Sequence, residues 1–279
     1  MIKQTILTGI ALLLITLPAQ ACTLFGAQGS AVLGGETLLV KNRDWRPEYQ
    51  EMRMAQGPVY RYYGIYGGNE EKMTLKGGVN EGGLAVFSAS ASVLPRKERF
   101  TMGRPIGVLR KILGSCNTVE QALTTIKNWG GPKFLLLGDA SEIACVEVGS
   151  EGRIRVRREK NGTLAHTNHY LSPEFQELNK KKAVSSHTRY DRITELLSAS
   201  HEPYVLADLM QFGRDRHDGP DNSIWRSGSR SDGPQTLASF GVWLHKDAKP
   251  DVSIVIRYSP EDQGEEDVYE LDGEKLWKK

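Results

Sequence analysis

The order of strand-like and helix-like segments predicts a layered α+β domain. Strand patterns cluster at the start, middle and end of the chain, and helical patterns form two groups between them. A doubly wound parallel sheet would instead require strands and helices to alternate regularly. No linker, internal repeat or low-complexity tract divides residues 22–279, so we expect these residues to form a single domain.

The first strands are predicted to form hairpins. Strand patterns and the turn residues between them predict the first elements in chain order, namely Cys22–Ala27, the Gly34-Gly35 turn, Glu36–Lys41, the aromatic strand Arg61–Tyr66, and the hairpin Met73–Ser92 with Asn80 at its turn.

The helical groups are identified by their apolar spacing. Ile106, Leu109, Ile112 and Leu113 fall on one face of a first helix. Thr118 opens a capping-box pattern, which predicts the start of a second helix. The remaining elements are strands 134–137, 143–148 and 153–158, helices 186–198 and 204–212, and strands 237–244, 252–258 and 268–271.

Residues 1–21 have the pattern of a signal peptide. Lys3 supplies a positive charge, Ile6–Leu17 is apolar, and Ala19-Gln20-Ala21 fits a signal peptidase site. The apolar run is too short to span a bilayer comfortably, although an N-terminal membrane anchor is the alternative interpretation. We therefore expect a periplasmic or secreted protein without stable membrane insertion after cleavage.

Composition and charge narrow the possible partners. The formal net charge is +2, 25% of the residues are charged, and no long basic block is present. This argues against nucleic acid as a partner. His166 and His169 invite a metal interpretation, but their spacing lacks the glutamate of a helical zinc motif, so we expect no metal and no cofactor.

Cys22 would be the first residue after cleavage. The chain has three cysteines, and an odd number in an exported protein leaves one thiol outside any disulfide. An N-terminal cysteine combines a thiol nucleophile with an α-amine of reference pKa roughly 7.7–8.0, which can accept the thiol proton. The alternatives are a lipidated cysteine, disfavoured by Ala19, and a merely structural N-terminus. Cys116 and Cys145 are either buried small hydrophobes or a disulfide pair.

Several short motifs extend this pattern along the chain. In order they are Cys22-Thr23, Lys41-Asn42-Arg43-Asp44, Val79–Ala85, Thr167-Asn168, Ser185–Arg189, Ser223–Arg226 and Thr236–Ser239. The ordered set resembles the N-terminal-nucleophile family of linear-amide C–N hydrolases, which includes choloylglycine hydrolases, acid ceramidase and the penicillin acyltransferase group. The resemblance implies a four-layer αββα sandwich and a small-molecule amide substrate.

The resemblance also implies roles for particular residues. Cys22 would attack the carbonyl, and Asp44 would hold and tune the α-amine. Lys41 stands where the family has an arginine, and a lysine cannot make the same bidentate contacts. Arg43 is the alternative replacement.

The remaining site residues would stabilise the intermediate and bind substrate. The Asn168 side chain would donate to the oxyanion, the backbone N–H near Ser90 would be the second donor, and Arg189 would support the nucleophile. Trp45 and Phe87 are candidates for lining the substrate pocket, although strand aromatics more often belong to the core.

These observations predict an exported cysteine hydrolase that cleaves a non-peptide linear amide through an acyl-enzyme. One alternative is an acyltransferase with an amine or thioester partner. The other is a non-catalytic exported binding protein with the same fold. Lys41 in place of the family's arginine is the feature that favours this alternative.

Overall fold

The computed structural model describes residues 21–278, apart from 104–105, 128, 200–202 and 263–265. The predicted signal peptide therefore lies outside the described residues except for Ala21. The strands are β1 (Ala21–Gln28), β2 (Thr37–Trp45), β3 (Tyr49–Gln56), β4 (Arg61–Asn69), β5 (Lys72–Asn80), β6 (Ala85–Ala89), β7 (Lys133–Gly138), β8 (Ile143–Val148), β9 (Ile154–Glu159), β10 (Gly162–His166), β11 (Gln235–Leu244), β12 (Asp251–Ile256) and β13 (Asp267–Leu271).

The strands form two antiparallel sheets. Sheet 1 has the order β10-β1-β2-β11-β12-β13, and sheet 2 has the order β3-β4-β5-β6-β7-β8-β9. Apolar side chains from both sheets pack together between them, including Leu24 and Leu39 from sheet 1 and Phe87 and Leu136 from sheet 2. The main core is therefore the space between the sheets.

Helices cover the outer face of each sheet. The helices are α1 (Arg96–Thr101), α2 (Val108–Ser115), α3 (Val119–Ile126), α4 (Val184–Ala199), α5 (Leu206–Gly213), α6 (Gly219–Asn222) and α7 (Gly273–Leu276). Helices α2 and α3 pack on sheet 2, whereas α4 and α5 pack on sheet 1. The result is the αββα sandwich that the resemblance implied.

Local sequence explains how two of these elements begin or turn. The Thr118 hydroxyl accepts a hydrogen bond from Gln121 N at 3.2 Å, so the predicted cap of α3 is confirmed. The Asn80 side chain accepts from the backbone of Gly82 and Leu84, which closes the turn between β5 and β6. It also donates to two carbonyl oxygens at the end of α2, so this turn is tied to the helix layer.

Some elements differ from those expected. Ile106 was placed on the buried face of the first helix, but α2 begins at Val108 and Ile106 is 83% exposed. Strands β3 and β10 were not expected, because each is a partly exposed edge strand without clean apolar alternation. Among the described residues, no helix is long and apolar enough to cross a membrane.

Candidate active site

Cys22 lies near the start of β1, between two neighbouring strands. In the ladder with β2 it stands opposite Arg43, and Ala21 stands opposite Asp44. Because successive side chains of a strand point to opposite faces, Cys22 shares one face with Lys41 and Arg43, and Ala21 shares the other with Asp44. The thiol faces the space between the sheets and is only 9% exposed.

The main chain of Cys22 is held by two buried polar side chains. Its nitrogen, which is an amide in this chain because Ala21 precedes it, donates to Asn168 Oδ1 at 2.7 Å. Arg189 Nη1 donates to the Cys22 carbonyl oxygen at 2.7 Å, and Arg189 Nη2 donates to Asn168 Oδ1 at 3.0 Å. Two donors therefore fix which end of the Asn168 amide is oxygen.

The Asn168 NH₂ group points away from the Cys22 nitrogen. Asn168 Nδ2 donates to the Ser90 carbonyl oxygen at 2.9 Å. An amide NH₂ carries two hydrogens, so a second hydrogen remains for another acceptor. The sequence identified Ser90 for its backbone N–H, whereas its observed contact with Asn168 is through the carbonyl.

A buried carboxylate anchors the loop that carries Asn168. Glu147 accepts hydrogen bonds from His166 Nε2 at 2.8 Å and from the backbone of Leu171 and Ser172. Burial alone would raise the pKa of Glu147, but these donors outweigh burial and hold the pKa at about 2. Glu147 was not among the predicted site residues, although a carboxylate inside the apolar run of β8 is a visible signal.

Asp44 is buried with half of its carboxylate unpaired. Oδ1 accepts from the Thr236 hydroxyl at 2.9 Å, whereas Oδ2 has no hydrogen-bond partner among the described residues. Burial raises the pKa of Asp44, and the positive charges of Arg189 and Arg226 oppose that rise. A buried carboxylate oxygen without a donor is costly, which makes this atom a candidate for a contact that is absent while Ala21 is attached.

Lys41 occupies the thiol side of β2. It is 2% exposed, and its Nζ donates to the carbonyl oxygens of Lys76 and Ser88, each at 2.8 Å. Burial lowers the pKa of Lys41 to about 7, against the opposing effect of the Cys22 sulfur. Arg43, the alternative replacement for the family's arginine, forms an ion pair with Glu48 and a hydrogen bond with Gln50. Lys41 therefore has no acidic partner among the described residues, whereas the charge of Arg43 is already paired.

Cys22 opens into a cavity of about 590 Å³. Trp45 lines this cavity, whereas Phe87 does not. Phe87 is fully buried and packs edge-on against Phe240, with ring centroids 5.2 Å apart. The expectation for Phe87 was therefore wrong, because its side chain points into the apolar core between the sheets.

The other cysteines are separate buried thiols. Cys116 and Cys145 are both free, which removes the disulfide alternative. Burial raises the pKa of Cys145 to about 11, so its thiolate is scarce near neutral pH. In the described part of the chain, no group of three or more His, Cys, Asp or Glu side chains could hold a metal ion. His166 pairs with Glu147, and His169 contacts Ser186.

Comparisons with known proteins agree with this architecture. The family model of acyl-coenzyme A:6-aminopenicillanic acid acyl-transferase matches residues 32–255. A mutant conjugated bile acid hydrolase from Clostridium perfringens is similar in structure, with 11% identity and a TM-score of 0.54, over 89% of this chain and 92% of that chain. A variant of the same hydrolase gives 12% identity and a TM-score of 0.55, over 88% and 92% of the two chains.

A further similar structure comes from an animal. It is the Caenorhabditis elegans ortholog of N-acylethanolamine-hydrolyzing acid amidase, with 13% identity and a TM-score of 0.55, over 79% of this chain and 92% of that chain. A search of the curated protein sequences gives no match. Because the family model covers most of its length, the chain belongs to the acyl-coenzyme A:6-aminopenicillanic acid acyl-transferase family, and it is an enzyme with the fold of the N-terminal-nucleophile hydrolases.

Proposed function

We propose that this enzyme is exported, begins at Cys22 after removal of residues 1–21, and hydrolyses a small linear amide through an acyl-enzyme on the Cys22 sulfur. The observation that carries the proposal is the arrangement around Cys22. Its thiol reaches the cavity, while its nitrogen contacts Asn168 and its carbonyl contacts Arg189.

Loss of Ala21 would supply the missing base. The Cys22 nitrogen would change from an amide with one hydrogen to an amine that can accept a proton near neutral pH. Asn168 Oδ1 already accepts one hydrogen from this nitrogen. Asp44 lies opposite Ala21 and has an unpaired buried oxygen, which suits a second hydrogen of the new ammonium group.

The reaction would proceed in two halves. The α-amine takes the thiol proton, and the thiolate adds to the substrate carbonyl to give a tetrahedral oxyanion. The free hydrogen of Asn168 Nδ2 is the candidate donor to that oxyanion, and one such donor is worth about 2.7–4 kcal/mol. The intermediate collapses to a thioester as the ammonium returns the proton to the leaving amine. Water, activated by the same α-amine, then releases the acid and restores the thiol.

Lys41 supports the same reaction from the thiol side. Its ammonium group lies in the wall that contains Cys22, and a nearby cation favours a thiolate over a thiol. A buried lysine of pKa about 7 carries this charge fully only below neutral pH. Lys41 can thus supply the charge of the family's arginine, but in a pH-dependent form.

Acyl transfer is the second candidate, because the matching family is named for an acyltransferase. An amine would then replace water in the second half of the reaction. An exported location argues against coenzyme A as the acyl donor, since that cofactor is cytoplasmic. Competition between water and added hydroxylamine for the acyl-enzyme measures the preference directly.

The test is a comparison of cysteine variants after export. Intact mass should show a protein that begins at Cys22 without added lipid. Cys22→Ser should lower amidase kcat/KM by about three powers of ten or more, because a hydroxyl is far harder to deprotonate than a thiol. Cys116→Ala is the matched control and should retain activity. An active Cys22→Ser enzyme, or a mass increased by a diacylglyceryl group, would refute the proposal.

A further inference from the structure

The cavity beside Cys22 has a strongly basic wall. Its charged lining residues comprise eight basic and two acidic side chains, namely Lys41, Arg43, Arg46, Lys76, Arg96, Arg99, Lys133 and Lys181 against Asp44 and Glu48. A wall with this excess of positive charge concentrates anions and repels cations.

The two acidic side chains are held mainly by other partners, although Glu48 also attracts Lys76. Glu48 forms an ion pair with Arg43, and Asp44 lies on the helix side of β2, where its Oδ1 accepts from Thr236. Among the residues that the structure describes, neither Lys76 nor Lys133 forms an ion pair. Their charges are therefore available to a ligand.

Three lysines converge on the thiol from different strands. Lys41 comes from β2, Lys76 from β5 and Lys133 from β7, so both sheets contribute. Lys41 Nζ donates to two neutral carbonyl oxygens, which leaves its third hydrogen and its charge without an anionic partner. Burial and mutual repulsion lower the pKa of Lys41 to about 7 and that of Lys76 to about 8, and burial lowers the pKa of Lys133. An anion bound among them would relieve this repulsion.

The exposed part of the lining mixes apolar and basic side chains. Phe100 and Ile106 are exposed and Trp45 is half-buried, while the guanidinium groups of Arg46 and Arg96 lie over the rings of Trp45 and Phe100. A cavity with apolar side chains in its exposed lining and lysines near the nucleophile fits a ligand with one apolar part and one highly charged part.

We propose that the substrate is an amide with a dianionic group close to the scissile bond, either two carboxylates or one phosphate, and that Lys76 and Lys133 bind this group. The substrate assignment rests on the proposed amidase function, whereas the anion site itself can be tested without turnover. The remaining, apolar part of the substrate lies against the apolar side chains of the exposed lining.

The first experiment measures anion attraction at Cys22 directly. Iodoacetate and iodoacetamide both alkylate the thiolate with loss of iodide, but only iodoacetate is negatively charged. We expect the ratio of their rate constants at the Cys22 peptide to exceed the ratio for the neutral thiol N-acetylcysteinamide by about tenfold or more at low salt. The excess should disappear at high ionic strength, because salt screens the attraction.

Variants assign that attraction to the proposed residues. Lys133→Met and Lys76→Met should each lower the iodoacetate preference, while the exposed Lys160→Met serves as the control with the same loss of charge and should leave it unchanged. A ratio equal to that of N-acetylcysteinamide and insensitive to salt in the unmodified protein would overturn the anion site, whether or not the variants fold.

The second experiment tests the substrate class. One series joins a common acyl group to glycinamide, glycine, aspartate or phosphoethanolamine, which varies the charge and separates carboxylate from phosphate. A reversed series places the charge on the acyl side. We expect kcat/KM for a dianionic member of one series to exceed that for its neutral member by about tenfold or more. Equal rates for neutral and dianionic members would overturn the substrate assignment. If no amide is cleaved while iodoacetate preference persists, the proposed function fails and the anion site stands.

Discussion

The two faces of the β1–β2 hairpin carry different parts of the site. On the face towards α4, Thr23 accepts a hydrogen bond from Arg189, and Asp44 accepts one from Thr236 and is attracted by Arg189, while Asp44 Oδ2 has no partner among the described residues. On the face towards sheet 2, Cys22 and Lys41 open into a cavity where, within the described part of the chain, Lys41, Lys76 and Lys133 form no ion pair.

The difference separates two chemical tasks. The helix-side face holds the Cys22 main chain, and in our proposal it positions the amine base. The face between the sheets presents the thiol, and in our proposal it also binds the substrate. Cys22 would link the two faces, because its thiol and the α-amine of the mature chain belong to the same residue. The first two predictions below perturb groups that hold or form the Cys22 base, and the last two perturb the side between the sheets.

The largest expected effect comes from blocking the helix-side base. A protein with one residue retained before Cys22 keeps the thiol but replaces the α-amine by an amide that cannot accept a proton. We expect a folded enzyme whose kcat/KM falls by about a thousandfold or more, measured beside the processed enzyme with N-termini verified by mass. Full activity with a blocked N-terminus would move the base to a histidine, and His166, His169 and His187 would need reconsideration.

A smaller loss is expected from Asn168→Ala. This change removes the acceptor of the Cys22 nitrogen and the candidate oxyanion donor, so kcat should fall by about two to three powers of ten. Asn179→Ala is the matched control, since Asn179 stabilises the same loop through Tyr170 without contacting Cys22. Equal losses in both variants would mean that loop order, rather than the Asn168 amide, matters.

On the thiol side, Lys41→Met should stabilise the protein in a pH-dependent manner. The folded-state pKa of Lys41 is about 7, below the ordinary value of 10.5, so between these pH values the unfolded chain holds more protons at this site. The free energy of unfolding contributed by this site therefore decreases as the pH falls towards 7. The gain in Tm from Lys41→Met should be largest near pH 6 and should shrink towards pH 10. For the exposed Lys160→Met control we expect a change in Tm that does not depend on pH. The same pH-independent behaviour in Lys41→Met would contradict the shifted pKa of Lys41.

The smallest kinetic effect is expected from a comparison of Trp45, in the cavity wall, with Phe87, in the core. Trp45→Leu should raise KM by a few-fold with little change in Tm, because Trp45 lines the cavity. Phe87→Leu should lower stability by about 1–3 kcal/mol with KM unchanged, since Phe87 is packed within the core. Substrate saturation curves and thermal unfolding of both variants would distinguish them. An increase in KM for Phe87→Leu alone would reverse the assignment.

Much of the fold was predictable because its core strands and capped helices have strong local patterns. Strand β7 is an apolar run, and α3 has both a cap and a regular apolar face. Helix α1 was missed because Arg96–Thr101 is short and charged, with no buried residue. The edge strand β10 was missed because its pairing with β1, rather than its own composition, makes it a strand.

The sequence alone determined the candidate nucleophile, the order of the site motifs and the layered fold class. Those features are encoded in neighbouring residues, where Cys22 follows a cleavage pattern and Asn168 follows Thr167 in a short motif. The tertiary structure decided that Phe87 faces the core, that Glu147 anchors the Asn168 loop, and that Lys76 and Lys133 meet beside Cys22. The physical reason is register: which face of a sheet a side chain occupies, and which distant strand it meets, depends on pairings between segments far apart in sequence.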